Sequence, residues 1–217
     1  MSNELYNLFN KFDKYTFVHS VRVYLLAKSF EEINCTNNKL SYAALLHDVG
    51  KILMPLRVLN KPASLSTLER EIIDLHCYVG YRMLTEYDVD SDIVGIVYLH
   101  HGECPRYITD PGYCPGKEVL EKAKILHTID AFEALTADRP YRGSMPIKTA
   151  LNIISKDDQR SDKAFCYLKD RFMSISNKTV TEALRSQNKD NKIPLKEILA
   201  SVPKNSNCAA MKLKKIS

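Results

Sequence analysis

The sequence predicts an all-α bundle, and three observations carry that prediction. Apolar residues recur at three- and four-residue steps, as in Val18, Val21, Leu25 and Leu26, and again in Ile72, Leu75, Val79 and Met83. That spacing puts each set on one face of a helix. No segment alternates apolar and polar residues with period two between turn signals, so no sheet is expected. Ser66 followed by Glu69 has the form of a capping box, a signal that opens helices.

The elements follow in order. The apolar face through Val18 and Leu26 marks the first helix, and Tyr42-Ala43-Ala44-Leu45-Leu46 a short apolar one that ends at His47. Residues 56–64 read as non-helical, and the Ser66 box then opens one helix carrying Leu68 to about Tyr87. Residues 92–101 form a short apolar helix, 118–137 a long one, and 146–154 and 162–173 two more. Between them lies a loop over 102–116 with proline and glycine breakers; loops of that length are usually functional or mobile. After about residue 176 asparagine and lysine dominate, with weak helices near 180–185 and 195–202. The expected division is therefore a domain over 1–175 and a polar, lysine-rich extension over 176–217.

Composition excludes several classes. With 45% hydrophobic and 26% charged residues the chain is neither collagen-like, mucin-like nor wholly disordered. No apolar run reaches the roughly 18 residues a membrane helix needs, and Met1-Ser2-Asn3-Glu4 does not resemble a secretory leader, so cytoplasmic residence is expected. Cys35, Cys77, Cys104, Cys114, Cys166 and Cys208 are scattered without a CxxC pair and are expected as free thiols, with a Cys104–Cys114 zinc or disulfide pair as the alternative. The net charge of +5 owes much to Lys204, Lys212, Lys214 and Lys215; with no aromatic residues interleaved, this is a solvated tail and not a nucleic-acid groove.

The chemistry lies in histidines and aspartates. His19, His47-Asp48, His76, His100-His101 and Asp130 are spread over separate predicted helices, and His76 and Asp130 sit within otherwise apolar faces. A buried ionisable group is costly unless it is paired or bound to a metal. One histidine on an apolar face is ordinarily a satisfied core residue, and Asp130 by itself could cap a helix or pair with Lys51 or Lys124. Taken together, several such groups on separate helices point to a shared cation. Adjacent helical residues point about 100° apart, so His47-Asp48 or His100-His101 can serve one centre only if the metal lies between their arcs. His127 is read as structural or supporting.

Ala44-Leu45-Leu46-His47-Asp48-Val49-Gly50-Lys51-Ile52 resembles the core motif of the HD-domain metal-dependent phosphohydrolases. Leu59-Asn60-Lys61-Pro62, then Glu69, His76, Gly80, His100-His101, Gly112-Tyr113 and the block from Asp130 to Arg142 resemble the HD-GYP subgroup, over residues 15–175. The resemblance implies an HD-domain helical bundle with a dinuclear metal site between helices. It implies hydrolysis of cyclic dinucleotides, chiefly cyclic di-GMP, in bacterial signalling, with iron or manganese as cofactor.

Carried over, His19, His47, Asp48 and Asp130 would bind one metal, and Asp48 would bridge to a second held by His76, His100 and His101. Mixed imidazole and carboxylate donors with open positions suit octahedral iron or manganese better than closed tetrahedral zinc. The implied mechanism is two-metal hydrolysis, a bridging water losing its proton and attacking phosphorus in line. Lys51 would stabilise the developing charge or protonate the leaving oxygen, or else face solvent. Arg139 and Arg142 would fork onto phosphate oxygens, or else pair with Asp138; Tyr113 would help place substrate and Glu133 would support a ligand. Tyr15 stands four residues before His19, where three-metal members carry glutamate, so two metals are expected.

The 102–116 loop departs from the family pattern, with Asp110-Pro111-Gly112-Tyr113-Cys114-Pro115 after His100-His101-Gly102-Glu103. That departure keeps two alternatives open: a phosphohydrolase of a linear dinucleotide or mononucleotide, and a nucleotide- or partner-binding module without appreciable turnover. Neither a nucleic-acid polymer nor a membrane is expected as partner, and a homodimer is left open.

Overall fold

The computed structural model describes residues 2–102, 114–138, 143–173 and 195–205. Among them the chain is helical, with no strand and a single antiparallel bridge between Val89 and Lys204. Helix α1 spans Ser2–Phe9, α2 Lys14–Asn34 and α3 Lys39–Leu46; a 3₁₀ turn over Val49–Leu53 and a short α4, Leu56–Leu59, follow. Then come α5 (Thr67–Asp74), α6 (His76–Glu86), α7 (Ser91–Leu99), α8 (Lys117–Thr136), α9 (Ile147–Ile154), α10 (Asp162–Phe172) and α11 (Leu195–Ala200). No described helix is long and apolar enough to cross a membrane.

Local chemistry sets the helix starts. Asp13 accepts from the Tyr15 and Thr16 amides at the head of α2, Asp90 from Asp92 and Ile93 at α7, and Ser161 from Ala164 at α10. Each side chain satisfies amides that the first helical turn leaves without partners. The Ser66–Glu69 capping box forms as expected, with Glu69 accepting from the Ser66 amide at 2.8 Å.

Three expectations need correction. The single helix read over 68–87 is two helices that meet at Leu75. There the His76 ring donates from Nδ1 to the Ile73 carbonyl at 2.6 Å, capturing an acceptor that the next turn's amide would otherwise use. Residues 56–64 are not wholly irregular, because Pro55 starts the one-turn α4. Helix α1 precedes the helix expected as the first and buries Leu5, Leu8 and Phe9, apolar residues at three- and four-residue steps. The expected helix near 180–185 lies outside the described residues.

The core sits where α2, α3, α7 and α8 pack together. Ala43, Ala44 and Leu45 from α3, Ile93, Ile96 and Val97 from α7, and Leu126, Ile129 and Phe132 from α8 are fully buried. Transfer of a large aliphatic side chain from water contributes about 1.5–3 kcal/mol, so this face accounts for much of the stability. Helix α6 packs on the 3₁₀ turn and α7, and α9 and α10 flank α8.

Residues 195–205 share this core: α11 packs on α1, and Leu199 and Val202 are buried. The segment is tied down by the Asp90 amide donating to the Pro203 carbonyl and the Asn205 amide donating to Asp88, at 2.9 and 3.0 Å. Leu199→Ala is accordingly expected to destabilise the protein by about 2–4 kcal/mol, the range for truncating a buried leucine. Thermal unfolding should report it as a drop of about 5–10 °C in Tm; an unchanged Tm would mean that α11 does not stabilise the domain.

Candidate metal centre

The predicted ligands sit at the ends and seams of helices, where the backbone can re-aim neighbouring side chains. His47 is the residue after α3, and Asp48 precedes the 3₁₀ turn with φ −92° and ψ 6°. This change of helix type turns two consecutive side chains toward one centre. His76 opens α6 at the break already described, and His100 follows α7. Gly102 then adopts φ +86°, left-handed backbone that favours glycine. His19 and Asp130 come from within α2 and α8.

The structure brings these groups together. His19 Nε2 lies 2.9 Å from Asp130 Oδ1, 3.2 Å from His47 Nε2 and 3.6 Å from Asp48 Oδ2. On the other side of Asp48, Oδ1 is 3.4 Å from His76 Nε2, which is itself 3.4 Å from His100 Nε2. His19, His47, Asp48, His76 and His100 are each at most 4% exposed, whereas His101 is exposed at the mouth, its ring centroid 4.0 Å from that of His100.

Hydrogen bonds fix which ring nitrogen faces inward. His47, His76 and His100 each donate from Nδ1 to the carbonyl three residues earlier, on Ala44, Ile73 and Val97, at 2.8, 2.6 and 2.7 Å. A carbonyl only accepts, so Nδ1 carries the proton and the neutral ring presents an Nε2 lone pair to the centre. His19 donates from Nδ1 to Glu133 Oε2 at 2.5 Å. Outward donation to a carbonyl or carboxylate is the support that metal-ligating imidazoles receive.

Charge follows the same geometry. Burial, reinforced by the neighbouring Lys51 charge, lowers the His76 pKa to about 3. Burial and the adjacent His101 and His47 hold His100 well below the ordinary imidazole value. Burial alone would also lower His19, but Glu133 and Asp130 outweigh it and raise it to about 9. Burial opposes ionisation of Asp48, yet His47, Lys51 and His19 keep its carboxyl well below the usual carboxylate range. Two anionic carboxylates therefore stand among mostly neutral imidazoles.

Two features favour a metal ion here. His76 Nε2 and His100 Nε2 aim lone pairs at one another with no proton to share. Asp48 Oδ1 is buried and accepts no well-formed hydrogen bond from the described residues. Lys51 Nζ, 2.8 Å away on both oxygens, has hydrogen-bond geometry only toward Oδ2. Such a set fits divalent metal ions, and His19, His47 and Asp130 form one donor group while His76, Cys77, His100 and His101 form another.

Other assignments fall into place or outside view. Glu133 holds His19, as expected of a supporting residue, and also pairs with Arg22 at 3.3 Å. His127 links the His100 carbonyl to Asp157, at 3.0 and 2.7 Å, and so steadies a ligand without entering the centre. Tyr15 is exposed and lines a cleft of about 680 Å³ with Lys14, Lys51, Lys61 and Arg70. Tyr113, Arg139 and Arg142 lie outside the described residues. Cys77, read in the sequence only as one of six scattered cysteines, lies against the His76 and His100 rings; its place next to a predicted ligand on a helix is the signal for that contact.

If Glu133 orients His19 for a metal, Glu133→Gln should weaken binding at that position about 10–100-fold, the usual effect of losing such a partner. Competition with a metal-binding dye measures it; undiminished affinity would deny Glu133 this part.

Comparison with known proteins places the domain. The cyclic di-GMP phosphodiesterase of Pseudomonas aeruginosa is 35% identical over 137 residues, 60% of this chain and 32% of that protein. A 3'3'-cGAMP-specific phosphodiesterase of Vibrio cholerae is 31% identical over 150 residues, 66% of this chain and 32% of the relative. The cyclic di-GMP phosphodiesterase of Thermotoga maritima is 30% identical over 161 residues, 70% and 43% of the respective lengths. The chain thus spans about a third to two fifths of the length of these curated relatives. The family model described as HD domain matches residues 13–164, the stretch that supplies all seven clustered histidines and aspartates, and this chain belongs to the HD-domain family.

Proposed function

We propose that this chain is a phosphodiesterase of the HD-GYP subgroup that hydrolyses cyclic di-GMP or a related cyclic dinucleotide. The observation that carries the reading is the pair of inward-facing, unprotonated Nε2 atoms on His76 and His100 beside the buried Asp48 carboxylate. In this reading His19, His47, Asp48 and Asp130 hold one divalent ion, and Asp48, His76, His100 and His101 hold a second, with iron or manganese as the metals. When bound, such ions supply Lewis acidity toward water and toward the phosphate oxygens.

The chain's own residues do the rest. Asp48 stands between the two donor groups, so one carboxylate can serve both. Lys51 bridges the centre and the neighbouring cleft, and its ammonium is placed to meet charge that develops on a phosphate oxygen or to give a proton to the leaving oxygen. The cleft has the volume of a ligand site, and Lys14, Lys61 and Arg70 give it a basic lining suited to a phosphodiester. Arg139, Arg142 and Tyr113 are proposed from their motif alone as further substrate contacts.

The relatives named above, acting on cyclic di-GMP and on 3'3'-cGAMP, support a cyclic dinucleotide as substrate. Manganese-loaded protein should be incubated with cyclic di-GMP, cyclic GMP-AMP, a linear dinucleotide and a mononucleotide. Cleavage of a cyclic species to a product heavier by one water is the expected result. Turnover of only the linear or mononucleotide substrates would reassign the substrate, and binding without turnover of any would make the chain a ligand-binding module.

A further inference from the structure

We propose that Cys77 supplies a thiolate ligand at the position formed by His76, His100 and His101, giving this half of the centre a mixed nitrogen–sulfur donor set. The inference rests on the two-ion reading above and concerns which ion its second position prefers.

Cys77 is buried and shares with His76, His100 and His101 a set of donor atoms that all lie within 4.8 Å of one another. Two of the spacings match those of neighbouring ligands on one small ion. With metal–nitrogen bonds of about 2.0–2.1 Å and metal–sulfur bonds of about 2.3 Å, neighbouring donors of a tetrahedral site stand roughly 3.4 Å apart for N···N and 3.6 Å for N···S. His76 Nε2 lies 3.4 Å from His100 Nε2, and Cys77 Sγ lies 3.6 Å from His76 Nε2. Sγ also approaches His100 Nδ1 at 3.8 Å, the nitrogen that donates to the Val97 carbonyl.

A second observation points to the same place. The buried Asp48 Oδ1, without a well-formed hydrogen bond among the described residues, faces His76 Nε2 at 3.4 Å. An oxygen donor and a sulfur donor thus both stand beside His76 Nε2. The other half of the centre, His19, His47 and Asp130, contains no sulfur. On binding, the thiol proton passes to solvent and sulfur donates a lone pair to the ion, with no change of oxidation state. Thiolate is a soft ligand that favours zinc or ferrous iron over manganese, so the two halves should differ in preference.

Cobalt(II) titration of the purified full chain tests this, because cobalt reports its ligands by absorption. The expected result is visible ligand-field bands for bound cobalt plus a near-ultraviolet sulfur-to-cobalt charge-transfer band. That near-ultraviolet band should vanish in Cys77→Ser while cobalt still binds, and the zinc-over-manganese preference should fall by about tenfold. X-ray absorption of zinc-loaded wild type should show a sulfur neighbour, a measurement that needs no variant. Cobalt binding without the charge-transfer band, or a band that persists in Cys77→Ser, would overturn the thiolate ligand and leave the two-ion reading intact. No cobalt binding at all would remove both.

Discussion

Asp48→Asn is expected, on the two-ion phosphodiesterase reading proposed above, to lower activity by on the order of 10³-fold and to cut bound metal from two ions to one or none. Asparagine keeps the shape of the side chain but removes the negative charge that offsets His19 and Lys51. The Asp48 carboxylate lies 3.6 Å from His19 Nε2 and 3.4 Å from His76 Nε2, so both donor groups lose the same anion. Metal ions supply several kcal/mol of charge stabilisation in such hydrolyses, and each 1.36 kcal/mol is tenfold in rate. Elemental analysis alongside a turnover assay checks the expectation, with circular dichroism to show that the helices persist. A variant that kept two ions and near-normal rate would refute the assignment of Asp48 as the shared ligand.

Gly50→Ala carries the second large effect, and the reason is close packing of backbone on backbone. A Cβ at Gly50 would lie 2.0 Å from the His76 carbonyl oxygen and 2.7 Å from the Gly80 amide nitrogen. Neither can swing aside as a flexible side chain would, so the 3₁₀ turn and α6 must separate. Overpacking of this kind costs about 1–3 kcal/mol or more, here toward the upper end. Because Asp48 precedes the turn and His76 opens α6, the separation also pulls apart groups that stand 3.4 Å from one another. The variant is expected to melt several degrees lower and to bind metal more weakly at the His76 position. A normal Tm with normal metal content would show that the two elements can shift freely, contrary to the packing.

Both effects depend on relations between elements that the sequence displays only in part. The 3.6-residue apolar pattern marked α2, the end of α3, α7 and α8, because each must bury one face and periodicity records which residues lie on it. The same pattern ran through Leu75 without a pause, since the break there comes from the His76 ring taking the Ile73 carbonyl, a hydrogen bond that hydrophobic spacing does not encode. Helix α1 carries the same apolar spacing in Leu5, Leu8 and Phe9, but α11, which packs on it, lies nearly 200 residues away in the chain.

By itself the sequence determined the all-helical class, the motif that marks the HD family, and a set of seven histidines and aspartates, of which His76 and Asp130 are out of place on apolar faces. Only the tertiary structure decided how those side chains face one another: the change of helix type between His47 and Asp48, the Glu133 carboxylate behind His19, the outward hydrogen bonds that leave Nε2 bare, and the sulfur of Cys77 beside His76. The physical reason is one of range. Helix formation and capping are written over a few neighbouring residues, whereas a donor's direction and proton are set by contacts across as many as 114 positions, as between His19 and Glu133.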